Sequence, residues 1–219
     1  LLARSGFRPL VLERGPELDE RVKAVEHFEK TGELNLNANI QFGEGGAGTF
    51  SNGKLTTRVG DPLCAFVTDA FLQHGAPADI AWRQKPHVGT DLLRGIIRSI
   101  RQEIIALGGE VRFNTALTGL KIENGALASV ETTAGDFACE QLILAVGHSA
   151  RDTFAMLHRQ GMPLECKPFS VGFRAEHLQT EIDKSLYHAA AGHPVLPVGE
   201  YQLSQHVSGG RCVYTFCMC

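Results

Sequence analysis

Two short apolar runs, each ending abruptly at a turn, most constrain how this 219-residue chain can fold. VLERG covers residues 11–15, and QLILAVG covers residues 141–147. Buried parallel strands are near-continuous apolar runs, and in open α/β sheets their carboxyl ends face a ligand crevice. The first run ends at Glu13 and the second at Gly147. The two runs therefore predict strands of one parallel sheet, with an acid and a glycine turn at its ligand-binding edge.

The segments around these runs predict alternating helices and strands. We expect helices over residues 17–30, 61–75, 90–107 and 149–160, and strands over residues 7–13, 110–113 and 142–146. The strongest helix signal begins at Thr90, because apolar residues recur there at helical spacing opposite a polar face. A helix that returns to a strand at residues 110–113 is typical of a parallel sheet.

A β-meander is predicted between this helix and the second apolar run. Asn124-Gly125 is the strongest short-range hairpin signal, since both residues tolerate positive φ. It joins predicted strands over residues 117–122 and 127–133, and a second turn at residues 134–136 begins a third antiparallel strand. After residue 163 the pattern changes, and we expect further strands around residues 169–174 and 211–217.

Composition and charge indicate an ordinary globular protein. The formal net charge is −3 and 43% of the residues are hydrophobic. No run of like charges suggests a nucleic-acid surface, and no stretch approaches the roughly 18 to 20 apolar residues of a membrane span. We therefore expect a cytoplasmic protein with a small-molecule substrate, no nucleic-acid partner and no membrane span. Its oligomeric state is left open.

Cysteine usage favours reduced thiols over disulfides or a metal site. Six cysteines in a chain of this length are too sparse for a disulfide framework. Cys212, Cys217 and Cys219 are close in sequence, but their spacing does not match a zinc-ligand pattern. The chain opens on a helical turn closed by Gly6 and stops inside an apolar run, which we interpret as an internal fragment of a longer protein.

Glu13 is the residue whose position most suggests a ligand. In dinucleotide folds an acid at the end of a buried strand accepts hydrogen bonds from a ribose. The alternative is a solvent-exposed acid at a strand end, since no GxGxxG turn lies in this chain. Arg14 beside it contacts a phosphate or is simply solvated. His148, just after the second run, contacts a cofactor or is a turn residue.

The segment FGEGGAGTFSNGKL at residues 42–55 carries five glycines. Such a density disfavours helix or strand, because each glycine costs roughly 0.5 to 1 kcal/mol there. Free backbone amides in this loop can hold pyrophosphate oxygens or let the backbone approach a flat ring. A flexible surface loop is the alternative, and Glu44 argues against a pure anion-binding nest. No Walker lysine follows at the required spacing.

Six segments together resemble the bacterial FAD-dependent dehydrogenases of uncharacterised function, which are similar in domain plan to glutathione-reductase-type flavoproteins. The segments are PLVLERG, IQFGEGGAGTFSNGKLTTR, HVGTDLLRGIIRSIRQEIIALGGEVRF, LILAVGHSARDTF, FSVGFRAEHLQ and VYTFCMC. The resemblance covers nearly the whole chain. The phosphate-binding glycine motif is absent, however, and Leu178 stands where the family usually has proline.

The resemblance implies an α/β fold, in which a parallel-sheet FAD-binding domain carries an inserted antiparallel meander beside part of a β-rich substrate domain. It assigns residues 1–60 and 89–162 to the FAD-binding domain, and residues 61–88 and 163–219 to the substrate domain. By analogy Glu13 holds the adenosine ribose, backbone near Leu117 touches the adenine, and Ala145 passes beside the flavin. The implied cofactor-binding residues are Glu13, Arg14, Gly43, Gly45, Gly46, Gly48, Thr49, Ser51, Gly53, Lys54, Leu117, Ala145, Gly147 and His148.

Three functions follow as hypotheses. The leading one is an FAD-dependent oxidoreductase of unknown substrate, with NAD(P)H as a possible electron donor. The second is an NAD-dependent dehydrogenase that uses Glu13. The third is a flavin-fold protein that binds RNA or a partner without turnover. The sequence identifies no catalytic acid, base or nucleophile.

Overall fold

The computed structural model describes residues 1–50, 53, 55, 59–83, 86, 88–173 and 175–215. The chain divides into two compact units, Leu1–Leu164 and Glu165–Cys219. The architecture is mixed α/β with small sheets. None of the helices among these described residues is both long and apolar enough to cross a membrane.

The first unit contains most of the predicted helices and strands, in the predicted order. Its strands are β1 Leu10–Leu12, β2 Glu110–Arg112, β3 Leu117–Glu123, β4 Ala126–Thr132 and β5 Gly135–Ala138. Its helices are α1 Leu18–Thr31, α2 Leu63–Gln73, α3 Thr90–Ala106 and α4 Arg151–Arg159. Short 3-10 turns cover Ala3–Ser5, Ala47–Phe50 and Ala78–Ala81.

Strands β1 and β2 pair in parallel, with Val11 opposite Val111. The pairing continues beyond β1, because the Glu13 amide donates to the Arg112 carbonyl at 2.9 Å and the Thr115 amide donates to the Glu13 carbonyl at 2.9 Å. The carboxyl end of β1 is thereby held in place by β2 and the residues that follow it.

The predicted β-meander is confirmed. Strands β3, β4 and β5 are consecutive and antiparallel, and Asn124 and Gly125 join the first two with φ of +51° and +80°. Leu120 and Val130 on these strands pack against Met156 and Leu157 of α4. A second core lies around α3, where buried Leu93 and Ile96 contact Ile80 and Val88.

The predicted strand at residues 142–146 is wrong. These residues form no strand, and the side chains of Ile143 and Leu144 are 74% and 40% exposed. A strand requires a neighbouring backbone to complete its hydrogen bonds. Within the described chain β1 pairs only with β2, and no strand pairs with residues 142–146. An apolar run signals burial, but it does not show which backbone will pair with it.

The described residues of the second unit form one helix, α5 Gln179–Tyr187, a 3-10 turn at His188–Ala190, and a two-stranded antiparallel sheet. The strands of this sheet are β6 Ser204–His206 and β7 Cys212–Tyr214, and β7 falls within the strand predicted around residues 211–217. The strand predicted around residues 169–174 is not present over residues 169–173, which form no strand and where Phe169, Val171 and Phe173 are exposed. Arg174 lies outside the described residues.

Candidate cofactor site

The carboxylate of Glu13 lies just beyond β1 and is anchored by two backbone amides. Its Oε1 accepts a hydrogen bond of 2.9 Å from the Gly15 nitrogen and one of 3.0 Å from the Gly43 nitrogen. Its Oε2 has no hydrogen-bond partner among the residues described above. A half-buried carboxylate with one oxygen anchored and one unpaired can accept hydrogen bonds from a ligand hydroxyl.

Two glycines allow the loop to come this close to β1. A Cβ atom on Gly15 would lie 2.5 Å from the Asn37 carbonyl oxygen and 2.6 Å from the Gly43 Cα. Gly43 itself has a φ of +114°, and a Cβ there would lie 2.4 Å from the Arg21 Cδ. Both positions therefore require glycine, because any side chain would collide and a φ of this value strains L-residues.

The buried guanidinium of Arg21 on α1 holds the loop from its inner side. Arg21 is 0% exposed. It donates to four loop carbonyls: Asn39 at 3.0 Å, Gly43 at 3.1 Å, Glu44 at 2.6 Å and Ile40 at 2.9 Å. Burial lowers the pKa of Arg21 to about 10, and the charges of Glu13 and Glu44 act in the opposite direction. Residues 39–44 are thus held by hydrogen bonds to a buried side chain.

Glu44 serves this framework too. Its Oε2 accepts a hydrogen bond of 2.9 Å from the amide of Leu18, the first residue of α1, and its Oε1 lies 3.1 Å from Nε of Arg101 on α3. The carboxylate therefore caps one helix and pairs with another. Because Glu44 is 7% exposed and both its oxygens are engaged, its position agrees with the expectation that this loop is no pure anion nest.

Arg14 points to α4. Its Nη1 and Nη2 donate to Oδ1 and Oδ2 of Asp152 at 3.0 Å and 2.6 Å, and its guanidinium lies 4.5 Å from the centre of the Phe42 ring. Asp152 is in the first turn of α4. The hydrogen bond from Arg14 is the largest cause that lowers the pKa of Asp152. This pair fastens the start of α4 to the end of β1.

The turn at residues 147–149 borders the same loop. The Ser149 hydroxyl donates to Oε1 of Gln41 at 3.1 Å, and Nε2 of His148 lies 3.5 Å from that hydroxyl. Gly147 has a φ of +73°, and a Cβ there would meet nothing within 4 Å. The two turns singled out from the sequence therefore meet one loop, although the strand expected before Gly147 is absent.

The other predicted residues take different positions. Gly46 and Gly48 have open space where a Cβ would lie, whereas Gly45 packs against Thr49 and Gly53 against Val88. Thr49 is 0% exposed and its hydroxyl has no partner within the described part of the chain.

Leu117 is half-buried on β3, and Ala145 is exposed. Ser51 and Lys54 lie outside the described residues.

Three residues that shape the site were not predicted from the sequence: Arg21, Gln41 and Asp152. The sequence did contain a signal for the burial of Arg21, because this residue shares one face of α1 with buried Leu18 and Val25 at helical spacing. An arginine on an apolar helix face indicates a buried hydrogen-bonding role. Gln41 and Asp152 carried none, since their partners Ser149 and Arg14 are more than 100 residues away in sequence.

Comparison with known proteins agrees with the resemblance to FAD-dependent proteins. Residues 168–219 match the family model described as FAD-dependent protein, C-terminal domain-like. An uncharacterized protein of Clostridium beijerinckii is 48% identical over all 219 residues. The chain spans 41% of the length of that relative.

Solved structures give partial similarity at low identity. Glycine oxidase from Bacillus cereus is 13% identical with a TM-score of 0.40, over 71% of this chain and 58% of that one. The L-amino acid deaminase from Proteus myxofaciens is 14% identical with a TM-score of 0.35, over 74% and 44%. NikD, an amino acid oxidase of nikkomycin biosynthesis, is 15% identical with a TM-score of 0.34, over 73% and 49%.

Proposed function

We propose that this protein is an FAD-dependent oxidoreductase and that Glu13 holds the adenosine ribose of the cofactor. The observation that carries the proposal is the anchored carboxylate at the end of β1, with Oε1 on two glycine amides and Oε2 unpaired within the described chain. Dinucleotide-binding folds place a ribose acceptor at this point. The family match of residues 168–219 supports FAD independently of this geometry.

The residues present fit such a cofactor. Oε2 of Glu13 would accept a ribose hydroxyl, and the space left by the missing side chains of Gly46 and Gly48 would allow close approach of a phosphate or a ring. The turn at Gly147 and His148 would border the flavin end. When bound, the flavin supplies hydride transfer, while the protein supplies binding, orientation and electrostatics. The substrate, the use of NAD(P)H as donor and the roles of Leu117 and Ala145 remain predictions.

The assignment of chain segments to an FAD-binding domain and a substrate domain is part of this proposal. Residues 1–60 and 89–162 would bind FAD, and residues 61–88 and 163–219 would face the substrate. Residues 61–88 belong to the first compact unit, and the family match lies in the second. We make no assignment of substrate, because no described side chain outside the Glu13 site identifies one.

The test is the colour and flavin content of the full-length protein and of one variant. We expect a yellow protein, and Glu13→Gln should weaken FAD binding about 10- to 100-fold, because a charge-assisted hydrogen bond is worth about 1.5 to 3 kcal/mol. Glu20→Gln, an exposed acid on α1, is the matched control and should leave FAD binding unchanged.

The remaining outcomes separate the alternatives. A colourless protein that binds NAD would replace the proposal with a nicotinamide-dependent dehydrogenase. A yellow protein whose flavin no nicotinamide, quinone or small metabolite reduces or oxidises would favour a non-catalytic binding protein. Unchanged FAD affinity in Glu13→Gln would remove Glu13 from the site.

A further inference from the structure

Two neighbouring residues at the end of β1 favour adenosine nucleotides that differ at the 2′ position of the ribose. An acid at this position hydrogen-bonds a free 2′-hydroxyl, whereas an arginine nearby accommodates a 2′-phosphate. This chain carries both, as Glu13 and Arg14. The sequence alone leaves the choice open, because either side chain can reach a ribose bound at this strand end. The structure shows which of the two is available.

Asp152 occupies the two terminal nitrogens of Arg14. Both Nη atoms donate to the two carboxylate oxygens, at 3.0 Å and 2.6 Å, in the bidentate geometry that arginine otherwise offers to a phosphate. One face of the guanidinium also lies 4.5 Å from the Phe42 ring centre. The Nε–H is buried and has no partner among the described residues. The second two-pronged edge of the guanidinium, which Nε forms with one Nη, is therefore closed to a phosphate.

The local charges act in the same direction. Asp152 is paired with the Arg14 guanidinium, and the charge of Glu13 acts on the same guanidinium. The lowered pKa of Asp152, caused mainly by the hydrogen bond from Arg14, keeps that carboxylate ionised at neutral pH. A 2′-phosphate brings about two further negative charges to this pair of acids. It would have to displace Asp152 before the terminal nitrogens of Arg14 could contact it.

We propose that Asp152 is a specificity-determining residue, which occupies Arg14 and restricts the adenosine end of the site to nucleotides with a free 2′-hydroxyl. The proposal rests on the proposed function, because it assumes that Glu13 lies at the adenosine ribose. It assigns FAD or another unphosphorylated adenosine nucleotide to this site. It also requires a 2′-phosphorylated donor such as NADPH, if one is used, to bind elsewhere.

The test compares two probes on the apoprotein prepared from the full-length flavoprotein. ADP and 2′-phospho-ADP each compete with FAD rebinding, and the ratio of their dissociation constants is the readout. We expect the unaltered protein to prefer ADP by at least about tenfold, and Asp152→Ala to reduce that preference about tenfold by freeing Arg14. The double variant Arg14→Met/Asp152→Ala should restore the preference for ADP, because it removes the freed cation.

Asp19→Ala is the matched control. Asp19 is also the second residue of a helix and also pairs with an arginine on another element, at 2.6 Å from Arg98. This substitution should leave the ratio unchanged, so an effect of helix-terminal charge or of general destabilisation would be recognised. Restoration of the ratio by Arg14→Met in the double variant is likewise an effect that a folding defect does not produce.

Two results would overturn the inference while leaving the flavin proposal standing. One is an unaltered protein that rebinds FAD but binds both probes equally. The other is an Asp152→Ala variant that rebinds FAD with the original ratio of the two probes. Either of two other results would overturn the proposed function, and this inference with it. One is a full-length protein that carries no FAD, and the other is an apoprotein that binds neither FAD nor ADP.

Discussion

Arg21 shows how one side chain organises the candidate site without touching a ligand. Its guanidinium is buried, donates to four carbonyls of the loop at residues 39–44, and lies 4.6 Å from the Phe50 ring centre. The loop it holds carries Gly43, whose amide anchors Glu13. A lysine could not satisfy the same set, because its ammonium is a compact point charge without the planar fork.

We expect Arg21→Met to lower the free energy of unfolding by about 3 to 5 kcal/mol, because it leaves buried carbonyls without donors. Urea denaturation measures this change. Arg98→Met is the control: Arg98 forms an exposed ion pair with Asp19, so its loss should cost less than about 1 kcal/mol. Equal effects of the two substitutions would show that Arg21 does not hold the loop.

At the scale of the elements, α4 is linked to the β-meander by one side chain, which makes the backbone hydrogen bonds that a neighbouring strand would otherwise make. Gln160, just after α4, accepts from the Leu120 amide at 3.1 Å and donates to the Leu120 carbonyl at 3.0 Å. Leu120 pairs with Val130 on β4, so Gln160 completes the other edge of β3. The sequence predicts both the meander and α4, but not this contact, because 40 residues separate the two partners.

Gln160→Ala should therefore lower the free energy of unfolding by about 1 to 3 kcal/mol, since the amide and carbonyl of Leu120 both lose a partner. Gln160→Glu should cost less, because a carboxylate still accepts from the amide. Gln102→Ala, on the exposed face of α3, is the matched control and should change stability by less than about 0.5 kcal/mol. Chemical denaturation of the three variants measures these free energies of unfolding. A Gln160→Ala variant as stable as the control would contradict the prediction that Gln160 holds the edge of β3.

At the scale of the whole molecule, the chain forms two compact units that meet in sequence between Leu164 and Glu165. Residues 162–170 have no regular structure and are exposed throughout. The sequence pattern also changes after residue 163. Domain boundaries commonly lie in exposed segments of this kind, which are also the preferred sites of proteolytic cleavage.

Limited digestion with a lysine-specific protease should cut after Lys167 before it cuts after Lys121 or Lys184. Lys167 is exposed and outside any helix or strand, whereas Lys121 is in β3 and pairs with Asp136, and Lys184 is in α5. Mass spectrometry of early fragments gives the order of cleavage. Cleavage at Lys121 or Lys184 ahead of Lys167 would show that residues 162–170 are protected.

The sequence by itself determined the local elements and the two turns of the site. Periodicity placed α1, α3 and α4, Asn124-Gly125 placed the hairpin, and the glycines at 43–53 placed a loop, because these signals act between residues close in the chain. Only the tertiary structure decided which polar side chains have hydrogen-bond or ion-pair partners and which are left unpaired. Arg14 pairs with Asp152, which is 138 residues away in sequence. Residues 142–146 pair with no strand of the described chain. Hydrogen-bond partners distant in sequence leave no trace in local periodicity, so the contacts that shape the Glu13 site emerge only when the chain is folded.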